Sequence, residues 1–228
     1  TYFPVHLYKN ENRVYLNNDT IPPNTKLAKG ANPFDSKSYS NFKLNEYAPD
    51  LMFSEMISFI SENKQNPFFL YWATPIPHNP LQAPKKWINY YKEKFGEEKP
   101  YLGQNGYFPN QNPRAAYAAM ISYLDENIGK LIMYLKDKNL YDNTLILFSS
   151  DNGVTYSGGT DGEFFNSSAI FDESYGRGKG FVYEGGIRVP MIATWGEKIK
   201  PGSITNHISA HYDVMATLLE PINYENIP

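Results

Sequence analysis

The sequence predicts an α/β fold: a mostly parallel central sheet flanked by helices. A helix–turn–strand plan occurs twice along the chain. The strand candidates are short continuous apolar runs rather than alternating ones, as expected for strands covered on both faces. A long glycine-rich connection separates the later strands, and in an open α/β sheet such connections gather at the carboxyl ends of strands, where ligands bind.

Residues 1–45 are rich in Asn, Pro and Lys with no sustained period and read as irregular connection, with a short strand near Val14-Tyr15-Leu16. Pro49 and Asp50 then open a helix whose apolar residues, Leu51, Met52, Phe53, Met56, Ile57, Phe59 and Ile60, recur at helical spacing up to the polar Ser61-Glu62-Asn63-Lys64. Phe68-Phe69-Leu70-Tyr71-Trp72-Ala73, with proline on both sides, reads as a buried parallel strand. The second unit is a helix from Arg114 to Leu140, a turn at Tyr141-Asp142-Asn143 and a strand over Thr144–Ser149. A third strand is expected over Val189–Trp195, and a last helix from Asp213, as N-cap, to Leu219. The stretch from Gly153 to Gly186 has no period and is long for a structureless loop, which favours a functional role.

Composition narrows the function. The 228 residues allow one to two domains and a sizeable core. Hydrophobic content of 41% and charged content of 20% exclude the signature of disorder, and a net charge of −3 excludes the basic excess of a nucleic-acid binder. No stretch has the eighteen or so uninterrupted apolar residues of a membrane span. The absence of cysteine removes disulfides, zinc–thiolate sites, iron–sulfur clusters and thiol nucleophiles. The chain starts at Thr1 rather than Met, as either an interior piece of a longer sequence or a processed end would.

Three places after strands carry candidate chemistry. In Thr74-Pro75-Ile76-Pro77-His78-Asn79-Pro80 the prolines stiffen the backbone around His78, which suits a positioned imidazole; a plain surface histidine in a proline-rich turn is the alternative. In Ser149-Ser150-Asp151-Asn152-Gly153 a carboxylate sits beside a carboxamide, oxygen donors suited to calcium or magnesium rather than zinc; the tripeptide is also an ordinary turn sequence. In Gly176-Arg177-Gly178-Lys179-Gly180, continuing through Glu184-Gly185-Gly186-Ile187-Arg188 to Pro190, glycines allow close backbone approach and Lys179 can neutralise an anion. The spacing is not that of a P-loop. Arg188 and Glu184 read as a structural ion pair. His207 and His211 lie four apart, but no glutamate follows His207 as the HExxH zinc pattern requires.

Taken in order, Pro-x-Pro-His78-Asn-Pro80, Asp151-Asn152-Gly153 and Gly-Lys179-Gly-x-x-Tyr-Glu-Gly-Gly-x-Arg188-Val-Pro190 resemble the type I sulfatases of the alkaline phosphatase superfamily. The similarity is greatest to the arylsulfatase-like enzymes that bacteria use against sulfated glycans, and Leu81-Gln82-Ala83-Pro84 also fits. The resemblance implies an alkaline phosphatase-like fold, with Asp151 and Asn152 as two calcium ligands. It further implies that Lys179 binds sulfate oxygens or the bridging oxygen, and that His78 contacts the sulfate and helps protonate the departing alcohol. The implied substrate is a sulfated carbohydrate or aryl sulfate, and the implied location is periplasmic or extracellular.

The family nucleophile is a formylglycine made from cysteine or serine in a C/S-x-P-x-R motif, which these residues lack, as they lack the family's early aspartate pair. Residues 1–228 are therefore expected to be the middle and later part of a catalytic domain, without turnover on their own. Phosphodiesterases and phosphonate monoester hydrolases of the superfamily generally show Asp-His-Gly at the position of Asp151-Asn152-Gly153, so Asn152 favours sulfate. A non-catalytic carbohydrate-binding module is the competing class, given the many tyrosines.

Overall fold

The computed structural model describes residues 1–42, 45–168, 170–171 and 177–222. A hairpin of β1 (His6–Lys9) and β2 (Asn12–Tyr15) opens the fold, where the sequence suggests one short strand in an irregular segment. Three longer helices follow: α1 (Ala48–Asn63), α2 (Lys85–Phe95) and α3 (Pro113–Asp137). Then come β3 (Ile146–Ser149), the single-turn helices α4 (Gly162–Phe165) and α5 (Glu184–Ile187), β4 (Met191–Thr194) and α6 (Asp213–Leu219).

Two apolar clusters organise these elements. The first joins Tyr2, Tyr47, Ile76, Leu81, Ala116, Met120 and Tyr123. Its base is the N-terminal half of α3, where Ala115, Ala116, Ala118 and Ala119 are buried; small side chains there let neighbouring segments approach closely, so the cluster also supports the loop around His78. The second joins Met56 and Ile60 of α1 to Leu135 of α3. Glu98 accepts hydrogen bonds from the Arg114 and Ala115 amides, at 2.6 and 3.2 Å, satisfying two otherwise orphaned donors of the first turn of α3. Burial pushes its carboxyl pKa up, while those two bonds oppose the shift.

The sheet departs from expectation. Among the described residues the strands form two antiparallel pairs, β1 with β2 and β3 with β4, rather than a parallel sheet. Parallel pairing needs a crossover over the sheet face, whereas the connection from β3 to β4 is tied end to end: Gly153 N–H donates to Gly186 O at 2.9 Å and Ser149 Oγ donates to Pro190 O at 3.0 Å. The chain therefore returns alongside β3 in the opposite sense, with Ile146 facing Thr194 and Ser149 facing Met191.

Phe68–Ala73, expected as a buried parallel strand, forms no strand and pairs with none among the described residues. Phe68, Leu70 and Trp72 pack on the second cluster while Phe69 and Tyr71 face outward, so the run is one-sided instead of buried on both faces. Asp213 is the first residue of α6 rather than its cap, and its carboxylate accepts from the Ala210 amide at 2.8 Å. No helix among the described residues is long and apolar enough to cross a membrane.

Helix α2, not foreseen from the sequence, is tied to α3 by Glu126, whose carboxylate accepts from Trp87 Nε1 at 2.7 Å and pairs with the Lys86 and Lys130 ammonium groups at 3.1 Å each. The Lys130 bond, then the Trp87 bond, hold its carboxyl down at about 2 from an ordinary 4.5. A depressed carboxyl stabilises the fold above its unfolded pKa and loses that contribution as pH falls through its folded value. Glu126→Gln is expected to lower stability by about 1–2 kcal/mol at neutral pH, allowing for solvent screening of the two lysines. It should also flatten the acid limb between pH 4.5 and about 2, as read by urea unfolding across that window. An acid limb as steep as the parent's would contradict this.

Candidate active site

The histidine loop is held from both sides. His78 N–H donates to Pro75 O at 2.8 Å, and the Tyr2 hydroxyl lies 2.8 Å from Pro75 O and 2.6 Å from His78 O. His78 Nδ1 is 2.7 Å from Asn79 O. A carbonyl only accepts, so Nδ1 carries the proton, and Nε2 is left as the atom that can take up or release one. The imidazole is exposed, and the Tyr107 ring meets it edge to face with centroids 6.0 Å apart.

Next to it, Asn79 is buried and reaches across to the glycine-rich stretch, donating from Nδ2 to Ser157 O at 2.9 Å. Gly158, with φ +65°, makes this contact possible, because a Cβ there would stand 2.6 Å from Asn79 Cγ and 2.8 Å from Tyr107 Cδ2.

Segment 151–158 is the common spine. Lys179 N–H donates to Val154 O at 2.7 Å, and Gly153 is bonded to Gly186, so the lysine turn and α5 lie against the residues that follow Asp151 and Asn152. The seam is main chain on main chain: a Cβ on Gly153 would lie 1.8 Å from Gly185 O, and one on Gly186 would lie 2.2 Å from Phe181 O. Asp151 and Ser157 are each three residues from Val154, a separation of no more than about 11 Å of fully extended chain. All three sequence motifs therefore make contact on one short segment, the histidine motif through the Asn79 side chain. Gly176, the first residue of the third motif, lies outside the described residues.

Among the described residues the Asp151 carboxylate and the Lys179 ammonium have no hydrogen-bond or ion-pair partner, and Asn152 Nδ2 donates to Gly153 O at 2.9 Å, leaving Oδ1 open. These oxygen donors match calcium in type, but two side chains supply only part of the six to eight oxygens it takes. No group of three or more acidic, His or Cys side chains among the described residues could hold a metal. The expected Glu184–Arg188 ion pair forms at 2.9 Å. His211 Nε2 sits 3.4 Å from Ser149 Oγ, at the end of β3 rather than in a metal cluster.

Sequence reasoning missed two supports of the histidine. Tyr2 shows no motif at all. Tyr107 has φ +62°, unusual for an aromatic residue, and the only hint was the turn composition of Gly103-Gln104-Asn105-Gly106 before it. Its loop is closed by the Tyr101–Asn110 bridge and packed on Gly159, where a Cβ would fall 2.8 Å from the Tyr101 ring.

The exposed imidazole, the Asp151–Asn152 pair and Lys179, whose ammonium has no partner among the described residues, are thus carried by loops bonded to one glycine-lined segment. The family model described as Sulfatase matches residues 5–224, and the chain belongs to that family. It is 28% identical to an uncharacterized sulfatase of Schizosaccharomyces pombe, across 82% of this chain and 44% of that protein. It is 29% identical to human N-acetylgalactosamine-6-sulfatase, across 72% of this chain and 27% of the enzyme. Among solved structures, Ps i-CgsB in complex with k-i-k-neocarrahexaose aligns with a TM-score of 0.60 and 32% identity, covering 77% of this chain and 34% of that one. The chain thus spans less than half the length of these relatives.

Proposed function

We propose that the protein removes sulfate from a sulfated glycan, with a 6-O-sulfated hexosamine as the substrate class, and that it works in the periplasm or outside the cell, where such polymers occur. The observation that carries this is the meeting of the histidine, Asp-Asn and lysine segments on residues 151–158 in a chain of the sulfatase family. The human relative's name supplies the substrate class.

Hydrolysis of a sulfate monoester builds negative charge on the sulfuryl oxygens and on the departing alcohol oxygen. Lys179 binds the sulfuryl oxygens through its ammonium donors. His78, its Nδ1–H fixed on the Asn79 carbonyl, delivers a proton from Nε2 to the departing oxygen. Asp151 and Asn152 would hold calcium together with ligands from elsewhere, and the ion supplies electrostatic stabilisation of a sulfate oxygen. The sulfuryl group passes from the departing oxygen to a formylglycine nucleophile, which in this proposal comes from residues other than these 228.

Calorimetric titration with N-acetylgalactosamine 6-sulfate tests the reading. The expected result is binding of the sulfated sugar that unsulfated N-acetylgalactosamine does not show, with little gain from calcium because these residues supply only two of its side-chain ligands. Equal binding of the unsulfated sugar would make the chain a carbohydrate-binding module instead. Preference for a phosphodiester or a phosphonate monoester would move it to the other hydrolases of the superfamily.

A further inference from the structure

The β1–β2 hairpin carries a second constellation. Its register pairs His6 with Tyr15 and Tyr8 with Arg13, so these four side chains share one face, while Leu7, Lys9, Asn12 and Val14 share the other. Lys9 anchors the hairpin to α1 through an ion pair with Glu55 at 2.7 Å. On the four-residue face the His6 ring stands edge-on to Tyr8 at 5.3 Å and tilted to Tyr15 at 6.1 Å. Arg13 Nε donates to the Tyr8 hydroxyl at 2.8 Å, with the guanidinium 5.6 Å from that ring's centroid.

That bond orients the guanidinium and engages only Nε; the two terminal nitrogens of Arg13 have no partner among the described residues. A planar fork with two open arms matches the oxygens of a sulfate group. Tyr15 and Tyr8 are 73% and 60% exposed, large and rigid surfaces against which the apolar face of a sugar ring can lie. The position is also informative. The hairpin starts at His6, four residues beyond Tyr2, whose hydroxyl sits on the carbonyls of the histidine loop. Four residues span no more than about 14 Å, which bounds the distance from Tyr2 to the start of the hairpin.

We propose that the His6, Tyr8, Arg13 and Tyr15 face binds sulfated oligosaccharides as a subsite beyond the reacting sulfate, Arg13 taking a sulfate group and Tyr15 and Tyr8 the sugar rings. It rests on the substrate class proposed above. The test compares three probes on the full chain: a 6-sulfated chondroitin hexasaccharide, its desulfated counterpart and N-acetylgalactosamine 6-sulfate. Arg13→Ala/Tyr15→Ala is expected to weaken the sulfated hexasaccharide about tenfold or more while leaving the monosaccharide unchanged. Arg13→Lys, which keeps the charge but loses the fork, should fall between. Lys179→Ala should weaken both sulfated ligands.

Unchanged hexasaccharide affinity in the hairpin variant, its amide spectrum showing a native fold, would overturn the platform while leaving the role of Lys179 standing. Equal binding of the desulfated hexasaccharide would also overturn it. Loss in the hairpin variant with no effect of Lys179→Ala would support the platform and count against the site on 151–158.

Discussion

Gly153→Ala is expected to lower the melting temperature by about 2–12 °C and to abolish binding of sulfated sugars. The added methyl would be driven to 1.8 Å from Gly185 O and 2.8 Å from Gly185 C. Both are main-chain atoms and cannot swing aside as a side-chain tip would. Overpacking of this kind costs typically 1–3 kcal/mol, and for a chain of this size each kcal/mol moves the midpoint by about 2–4 °C. The hydrogen bond from Gly153 to Gly186 would be lost as the two segments part. Because that bond holds the residues after Asp151 and Asn152 against α5, next to Val154 whose carbonyl takes the Lys179 amide, the damage extends from stability to the site. A melting curve superimposable on the parent's would show that the seam yields without strain, contrary to this account.

Lys179→Ala should act in the opposite manner, sparing the fold and removing the ligand. The side chain is partly exposed and makes no hydrogen bond or ion pair among the described residues, while its position is set through its backbone amide on Val154 O. Truncating it therefore leaves the packing alone. A hydrogen bond to a charged group contributes about 1.5–3 kcal/mol, so affinity for N-acetylgalactosamine 6-sulfate should drop about 10- to 100-fold. Lys179→Arg should recover part of the loss, since charge is restored but the compact ammonium geometry is not. Titration calorimetry on the three proteins reads this directly. Undiminished affinity in the alanine variant would remove Lys179 from sulfate binding.

What could be read from the residues follows the range of the forces involved. The strands at 146–149 and 191–194 and the helices of residues 48–63 and 113–137 are encoded by local periodicity, and the structure places them where the spacing indicates. Strand partnership is not local. The sense of β3 against β4 is decided by bonds between Gly153 and Gly186 and between Ser149 and Pro190, far apart in sequence, and no apolar pattern announces them. Helix α2 has no local signature because Lys-Lys-Trp-Ile-Asn-Tyr-Tyr-Lys-Glu-Lys-Phe is mostly charged and aromatic; it is held by contacts distant in sequence, Trp87 with Glu126 and the first cluster and Tyr91 with Ser122.

For the site, the motifs supplied the residue identities, and the glycine spacing hinted at close approach without saying what approaches. Asn79, which was visible within the histidine motif, proves to be the link to Ser157. Tyr2, which joins the hairpin end of the chain to the histidine loop, had no local signature because its role depends on two carbonyls more than seventy positions away.

The glycine seam has one more implication, for how an anion is captured. A joint between bare peptide units has no χ angles to immobilise, so the arrangement of segment 151–158 against 178–186 is settled when the chain folds. On the proposed function, an arriving sulfate ester would meet a prearranged receptor and need to quiet little beyond the lysine arm, which favours selectivity through shape and a modest entropic penalty on association.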